Sequence, residues 1–203
     1  RHETPRTTDY QPNDLRNHLM KSSSLAVLAI LSMPHLALAH DTWVQTNTNL
    51  IRSGDAVHID LMLGNHGNDH RDFKLASKTS MDGLTLKVRG PGDAAYDLKP
   101  RLVDLGYTPK EGFWSCKFAA TESGLYVVDH TVDRIVNHGT PTRTANARKA
   151  YFVVSRSLDN VPQENPGFDR PLGHALELVP EANPVTPMGP DVPIRVRLFF
   201  KGE

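Results

Sequence analysis

Cysteine is nearly absent from this chain: its 203 residues hold one, Cys116, so no intramolecular disulfide can form. Cys116 stands between Trp114 and Phe118 in an apolar alternation, which predicts burial rather than pairing with a partner. Net charge is absent as well, with 23 Lys and Arg against 23 Asp and Glu. That balance gives no electrostatic argument for nucleic acid or an anionic membrane as the partner. Aromatic residues make up only 7% of the chain. No apolar run is long enough to cross a bilayer as a helix. Also missing are the Gly-x-Ser-x-Gly elbow, the phosphate loop, the dinucleotide fingerprint, zinc-finger spacing and the His-Glu-x-x-His helix. A non-enzyme is therefore expected. Histidine is the exception to this scarcity: the chain has ten.

What is present begins with a short leader. Met20-Lys21 is a basic start, Leu25 to Met33 is apolar, and Ala37-Leu38-Ala39 offers the small residues a signal peptidase accepts. Residues 1–19 are polar and aperiodic, and are expected to be an upstream translation or gene-model artefact, with residues 20–39 the signal peptide. Cleavage after Ala39 makes His40 the first mature residue and implies a periplasmic or secreted protein. The residue after Ala39 is not cysteine, which argues against lipoprotein processing. An amino-terminal histidine offers a metal two nitrogens, its free α-amine and ring Nδ1. The leader thus creates a ligand as well as an address.

The mature part alternates with a two-residue period and carries almost no helix signal. Val57, Ile59, Leu61 and Leu63 alternate with His58, Asp60 and Met62; Leu84 to Arg89, Trp114 to Phe118, Gly124 to Val128 and Lys149 to Ser155 follow suit. Short strands between Gly, Pro and Asn clusters predict an all-β fold, an immunoglobulin-like antiparallel β-sandwich over residues 40–157. Residues 158–171 are proline-rich and predict a linker. Leu176 to Pro180 and Ile194 to Leu198 then look like strands of a second β domain over 172–203. Two strands cannot bury a core alone, so that domain is expected to be truncated.

Three histidine groupings can carry chemistry. Gly64-Asn65-His66-Gly67-Asn68-Asp69-His70 follows a strand. Its two histidines, four apart with glycine between, can converge on one ion while Asp69 orients an imidazole; the plain alternative is a Gly/Asn turn with solvated histidines. His40 is the second, pinned near the domain by the strand-like Asp41-Thr42-Trp43-Val44, unless it is an idle terminus. His40 with His66 and His70 gives four nitrogens, a set suited to Ni(II), Co(II) or Cu(II) rather than Mg or Ca. In the third, His138 precedes a glycine in a loop and is the better candidate, whereas His130 shares a strand face with Val128 and Val132 and is expected to be a satisfied core histidine. His58 and Asp60 are taken as structural, and His174 as serving packing or the domain junction. Asp129 and Asp133, four apart, are expected to lie on an exposed charged strand face.

The residues Ala39-His40-Asp41-Thr42-Trp43-Val44, the Gly54-Asp55 turn, Gly124-Leu125-Tyr126, and Leu176-Glu177-Leu178-Val179-Pro180 with Asn183-Pro184 resemble the DUF4198 family. Its members are described as periplasmic components of cobalt or nickel uptake, sometimes as a nickel uptake substrate-specific region. The resemblance spans His40 to Glu203 and implies a second β domain opening at the Leu-Glu-Leu-Val-Pro block and continuing past Phe200-Lys201-Gly202. It also implies an exported accessory to a membrane metal transporter, with the mature amino-terminal histidine at His40 and the histidine loop at His66 and His70.

Two other functions stay open. One is a cell-envelope scaffolding or adhesion sandwich without a metal site, since this fold hosts many roles. The other, ranked third, is a copper histidine-brace protein, which needs an aromatic substrate face that the composition does not advertise.

Overall fold

The computed structural model describes residues 41–64, 78–106, 108–109, 111–185 and 189–203, with backbone alone at 41 and 138. Eleven strands follow one another: β1 (Asp41–Thr46), β2 (Leu50–Arg52), β3 (Ala56–Gly64), β4 (Leu84–Arg89), β5 (Ala95–Asp97), β6 (Val103–Asp104), β7 (Trp114–Ala119), β8 (Gly124–His138), β9 (Thr140–Ser155), β10 (Leu176–Pro180) and β11 (Val196–Phe200). No α-helix occurs among the described residues. The expected all-β sandwich is what the chain forms. One sheet runs β1-β3-β7-β6, the other β2-β9-β8-β4-β5, and β10 with β11 make a two-stranded ladder.

Alternation builds the core. Val57, Ile59 and Leu61 of β3 and Cys116 and Phe118 of β7 face Leu84, Leu86 and Val88 of β4, Tyr126, Val128 and Val132 of β8, and Phe152 and Val154 of β9. Cys116 is buried as expected, and burial pushes its thiol up to about 11, so it stays a neutral core hydrophobe. The Tyr126 ring stacks on Phe152 at 5.1 Å, and its hydroxyl donates to the Glu122 carbonyl at 2.9 Å. A tyrosine tied to backbone four residues upstream is the corner device of immunoglobulin-like sandwiches.

Pairing is antiparallel with one exception: β2 runs parallel to β9, Leu50 opposite Val153. The cause lies at Asn47–Asn49. Asn47 closes the β1–β3 ladder, donating its amide to the His58 carbonyl at 3.1 Å and accepting from the His58 amide at 2.8 Å. Two residues on, the Asn49 carbonyl accepts from the Val153 amide at 2.9 Å. The chain thus crosses from one sheet to the other without reversing.

Strand β8 is covered on both faces. Opposite the core, Leu125 and Val127 with Val153 of β9 form a second apolar layer under Phe168, Leu172 and Val185. Phe168 of the proline-rich stretch therefore lies against this outer face, and Arg170 reaches Asp93 at 2.6 Å. Beyond Val132 and Asn146 the β8–β9 hairpin has no neighbouring strand among the described residues and ends at Gly139, whose φ is +96°. Glycine also decides the start of β4. Gly83 has φ +63°, and a Cβ there would lie 2.4 Å from the Asp133 carbonyl oxygen, so only glycine fits.

The β10–β11 ladder has two unlike faces. Glu177 and Val179 are buried toward the sandwich. Leu176, Leu178, Val196, Leu198 and Phe200 share the other face, and each is 45–62% exposed.

Candidate functional site

The described residues that border two of the histidine segments meet in one sheet. Asp41 is the first residue of β1, Gly64 the last of β3, and the register makes them direct partners. His40 precedes the one and His66, Asp69 and His70 follow the other. Ala39, His40, His66, Asp69 and His70 themselves lie outside the described residues. His138 is placed by its backbone at the tip of the β8–β9 hairpin, paired with Thr140. Thr140 is eight residues along β9 from Arg148, about 26 Å at strand rise. Arg148 is the residue that touches β1, donating from Nε to the Thr42 carbonyl at 2.8 Å. Among the described residues no group of three His, Cys, Asp or Glu is arranged to hold a metal.

Near that end of the sandwich, the inner face of β8 carries His130. It pairs with Leu86 of β4 and Arg148 of β9 and is 1% exposed. Its Nδ1 lies 2.9 Å from the Thr85 carbonyl. A carbonyl only accepts, so Nδ1 carries the proton. Burial pushes the imidazole below the ordinary histidine value and Arg148 adds to this, against the Thr85 bond and Asp129, so the ring is neutral. Neutral with Nδ1–H, it presents a lone pair at Nε2, and that atom is buried without a hydrogen-bond partner. The expectation of a satisfied core histidine is thus met at one nitrogen and not at the other.

The outer face of the same strand holds two buried ion-pair systems. Asp129 is 3% exposed, not part of an exposed charged face. Arg89 donates to its Oδ2 from Nη2 at 2.8 Å and Nε at 3.0 Å, and His174 Nε2 lies 2.9 Å from Oδ1 in ion-pair contact rather than an aligned hydrogen bond. Burial alone would raise the Asp129 carboxyl; His174 and Arg89 outweigh it and hold the group below the usual carboxylate range. The correction has a physical reason. Alternation gives Asp129 a face but does not say that the chain beyond β9 returns to cover it. Asp133, four residues on, is exposed and paired with Arg143.

Glu177 of β10 makes the second system. Its carboxylate accepts backbone N–H groups from Leu172 at 2.6 Å, Gly173 at 2.9 Å and His174 at 3.0 Å, and pairs with Lys149 of β9. Burial raises its pKa, but Lys149 and the backbone donors prevail and keep it below the usual range. Between β9 and the β10–β11 ladder runs a groove of about 520 Å³, bordered by Arg148, Lys149, Tyr151, His174, Leu178 and Leu198. Burial pushes the Tyr151 hydroxyl up to about 12. Glu177, tied to Lys149 of β9 and to the backbone at Leu172–His174, fastens the hairpin to the sandwich. His174 thus serves the junction. Sequence reasoning missed Asp129 and Glu177, although the unbroken apolar run Leu125–Val128 signals a strand buried on both faces.

A family model, Domain of unknown function (DUF4198), matches residues 37–203. The chain belongs to the DUF4198 family. No curated protein matches it. Among solved structures, one similar chain is the CARDB domain of a Pyrococcus furiosus protein in complex with di-metal ions, at 13% identity and TM-score 0.31, covering 58% of this chain and 94% of that one. Another is a DUF4785 family protein from Legionella pneumophila, at 11% identity and TM-score 0.31, covering 55% of this chain and 27% of that one.

Proposed function

We propose that the mature DUF4198 chain is an exported, non-enzymatic accessory of nickel or cobalt uptake that captures the ion and passes it to a membrane transporter. His40, made amino-terminal by cleavage after Ala39, supplies its amine and imidazole, and His66 and His70 complete the nitrogen set. The observation that supports this reading is the β1–β3 register: Asp41, which follows His40, and Gly64, two residues before His66, are direct strand partners. Neutral imidazoles and an unprotonated amine suit Ni(II), Co(II) or Cu(II). Binding weakens at acidic pH because the ligands must lose protons first. His138, at the hairpin tip, plays at most a peripheral part. The test is calorimetry with Ni(II) and Co(II) on the exported protein, its amino terminus verified by mass spectrometry, beside His40→Ala. Equal affinity in the two proteins refutes the role of His40.

One observation favours a second reading, a cell-envelope interaction module without a metal site. The second face of β10–β11 carries five large, partly exposed apolar side chains, of which Leu176, Leu178, Val196 and Leu198 line the groove beside β9, and such patches mark contact surfaces. A mature protein that binds neither ion supports that reading.

A further inference from the structure

We propose that His130 is an additional ligand of the transition metal, giving the ion its Nε2 lone pair from inside the sandwich. This rests on the reading that the mature chain binds such an ion at the start of β1. Three independent features of His130 point the same way.

The first is orientation. Metal-bound histidines hold one ring N–H against a carbonyl or carboxylate, which fixes the tautomer and aims the other nitrogen. The Thr85 carbonyl does this to Nδ1 at 2.9 Å. The second is the idle atom. Nε2 is buried with no hydrogen-bond partner, a condition that is destabilising for a core polar atom unless something else occupies it. The third is place. His130 sits beside Arg148, and Arg148 Nε bridges to the Thr42 carbonyl at 2.8 Å. Leu50 lies opposite Val153, so β1 and β2 advance along β9 in the same direction, and the beginning of β1 lies at the His130 end of the core.

The charged neighbours fit a neutral ligand. Asp129 turns to the opposite face, where Arg89 and His174 hold it. The Arg148 guanidinium is engaged by the Thr42 and Ala147 carbonyls, so it is fixed in place; its charge opposes a cation at Nε2, and the ion's bonds to its ligands have to outweigh that repulsion. Val128 and Val132 flank the ring on its own strand and Leu86 on the next, so a ligand here is dry and preformed on a rigid element.

Two measurements on the exported mature protein test this. In calorimetry with Co(II), His130→Gln should lose about ten- to hundredfold in affinity, while circular dichroism checks that the fold survives. The other needs no variant. In Co(II)-loaded wild type labelled with ¹⁵N-histidine, the His130 Nδ1–H should appear as a strongly hyperfine-shifted proton, protected from exchange by its Thr85 bond. Unshifted His130 resonances in Co(II)-loaded wild type, or unchanged affinity in a folded His130→Gln, overturn the inference. If His40→Ala still weakens binding in that case, the broader reading survives without His130. A wild type that binds no Co(II) removes both.

Discussion

Replacing Glu177 with alanine should detach the β10–β11 hairpin from the sandwich. Its side chain is 1% exposed and receives three backbone N–H groups and the Lys149 ammonium, itself only 9% exposed. Each buried hydrogen bond left unmade costs about 1–3 kcal/mol. The losses do not add, because all converge on one carboxylate and the hairpin can open to water. The relevant scale is that of a buried pair deprived of one partner, about 3–5 kcal/mol, and that is the destabilisation expected of Glu177→Ala. Glu177→Gln keeps an acceptor and nearly the same volume but turns an amide toward Lys149, so about half that loss is expected. Urea denaturation reads the global effect, and amide exchange in Leu176–Pro180 reads it where the hairpin opens separately. The pH dependence follows from the sign of the shift. The folded carboxyl lies below its ordinary 4.5, so its contribution is complete above that value and is lost as pH falls through the folded pKa. Both variants should show a shallower acid loss than wild type. If Glu177→Ala falls within about 1 kcal/mol of wild type with unchanged exchange in β10, the carboxylate does not hold the hairpin and the reasoning fails.

Three further outcomes are expected. Phe152 is fully buried and stacked on Tyr126, so Phe152→Ala should cost about 3–5 kcal/mol in denaturant titration; a loss under about 1 kcal/mol would mean that the two sheets do not close on this ring. His130 has a folded pKa below 6.5, so its contribution is complete above 6.5 and is lost as pH falls through the folded value. In chelator, wild type should therefore lose stability below pH 6.5 more steeply than His130→Gln, and parallel profiles would contradict the buried neutral ring. Ni(II) at about a hundred times its dissociation constant should add about 2.7 kcal/mol to the mature protein, reversed by chelator; an equal gain in His40→Ala would place the ion elsewhere.

Which parts of this molecule could be read from its residues follows from what a single periodicity encodes. Val57, Ile59 and Leu61 declare a strand and an inward face because one side of β3 is core and the other is not, and the alternation is the burial. Trp114 to Phe118 alternates likewise apart from the buried Ser115, so the placement of Cys116 needed no structure. β8 breaks the rule. Leu125, Tyr126, Val127 and Val128 are buried in succession because the chain beyond β9 folds back over the outer sheet face; the unbroken apolar run signals that a cover exists, but not that it comes from residues 168, 172 and 185 or that it reaches Asp129. Asp129 therefore looked solvated when it is a buried anion between Arg89 and His174, residues 40 positions before it and 45 after. Glu177 hid for the same reason, in a Leu-Glu-Leu-Val alternation that has the look of an exposed glutamate. The candidate metal ligands were legible in a different way. His40, His66 and His70 stand out by composition and by the cleavage site, and what the fold adds is only that their flanking residues Asp41 and Gly64 are partners. His130 needed more than sequence, because a histidine between two valines is the ordinary signature of a core residue. What sets it apart is atomic: one nitrogen tied to Thr85 and the other tied to nothing. Periodicity reports a face, never the satisfaction of an atom, and so residues whose chemistry depends on a missing partner can be recognised only after every partner has been placed.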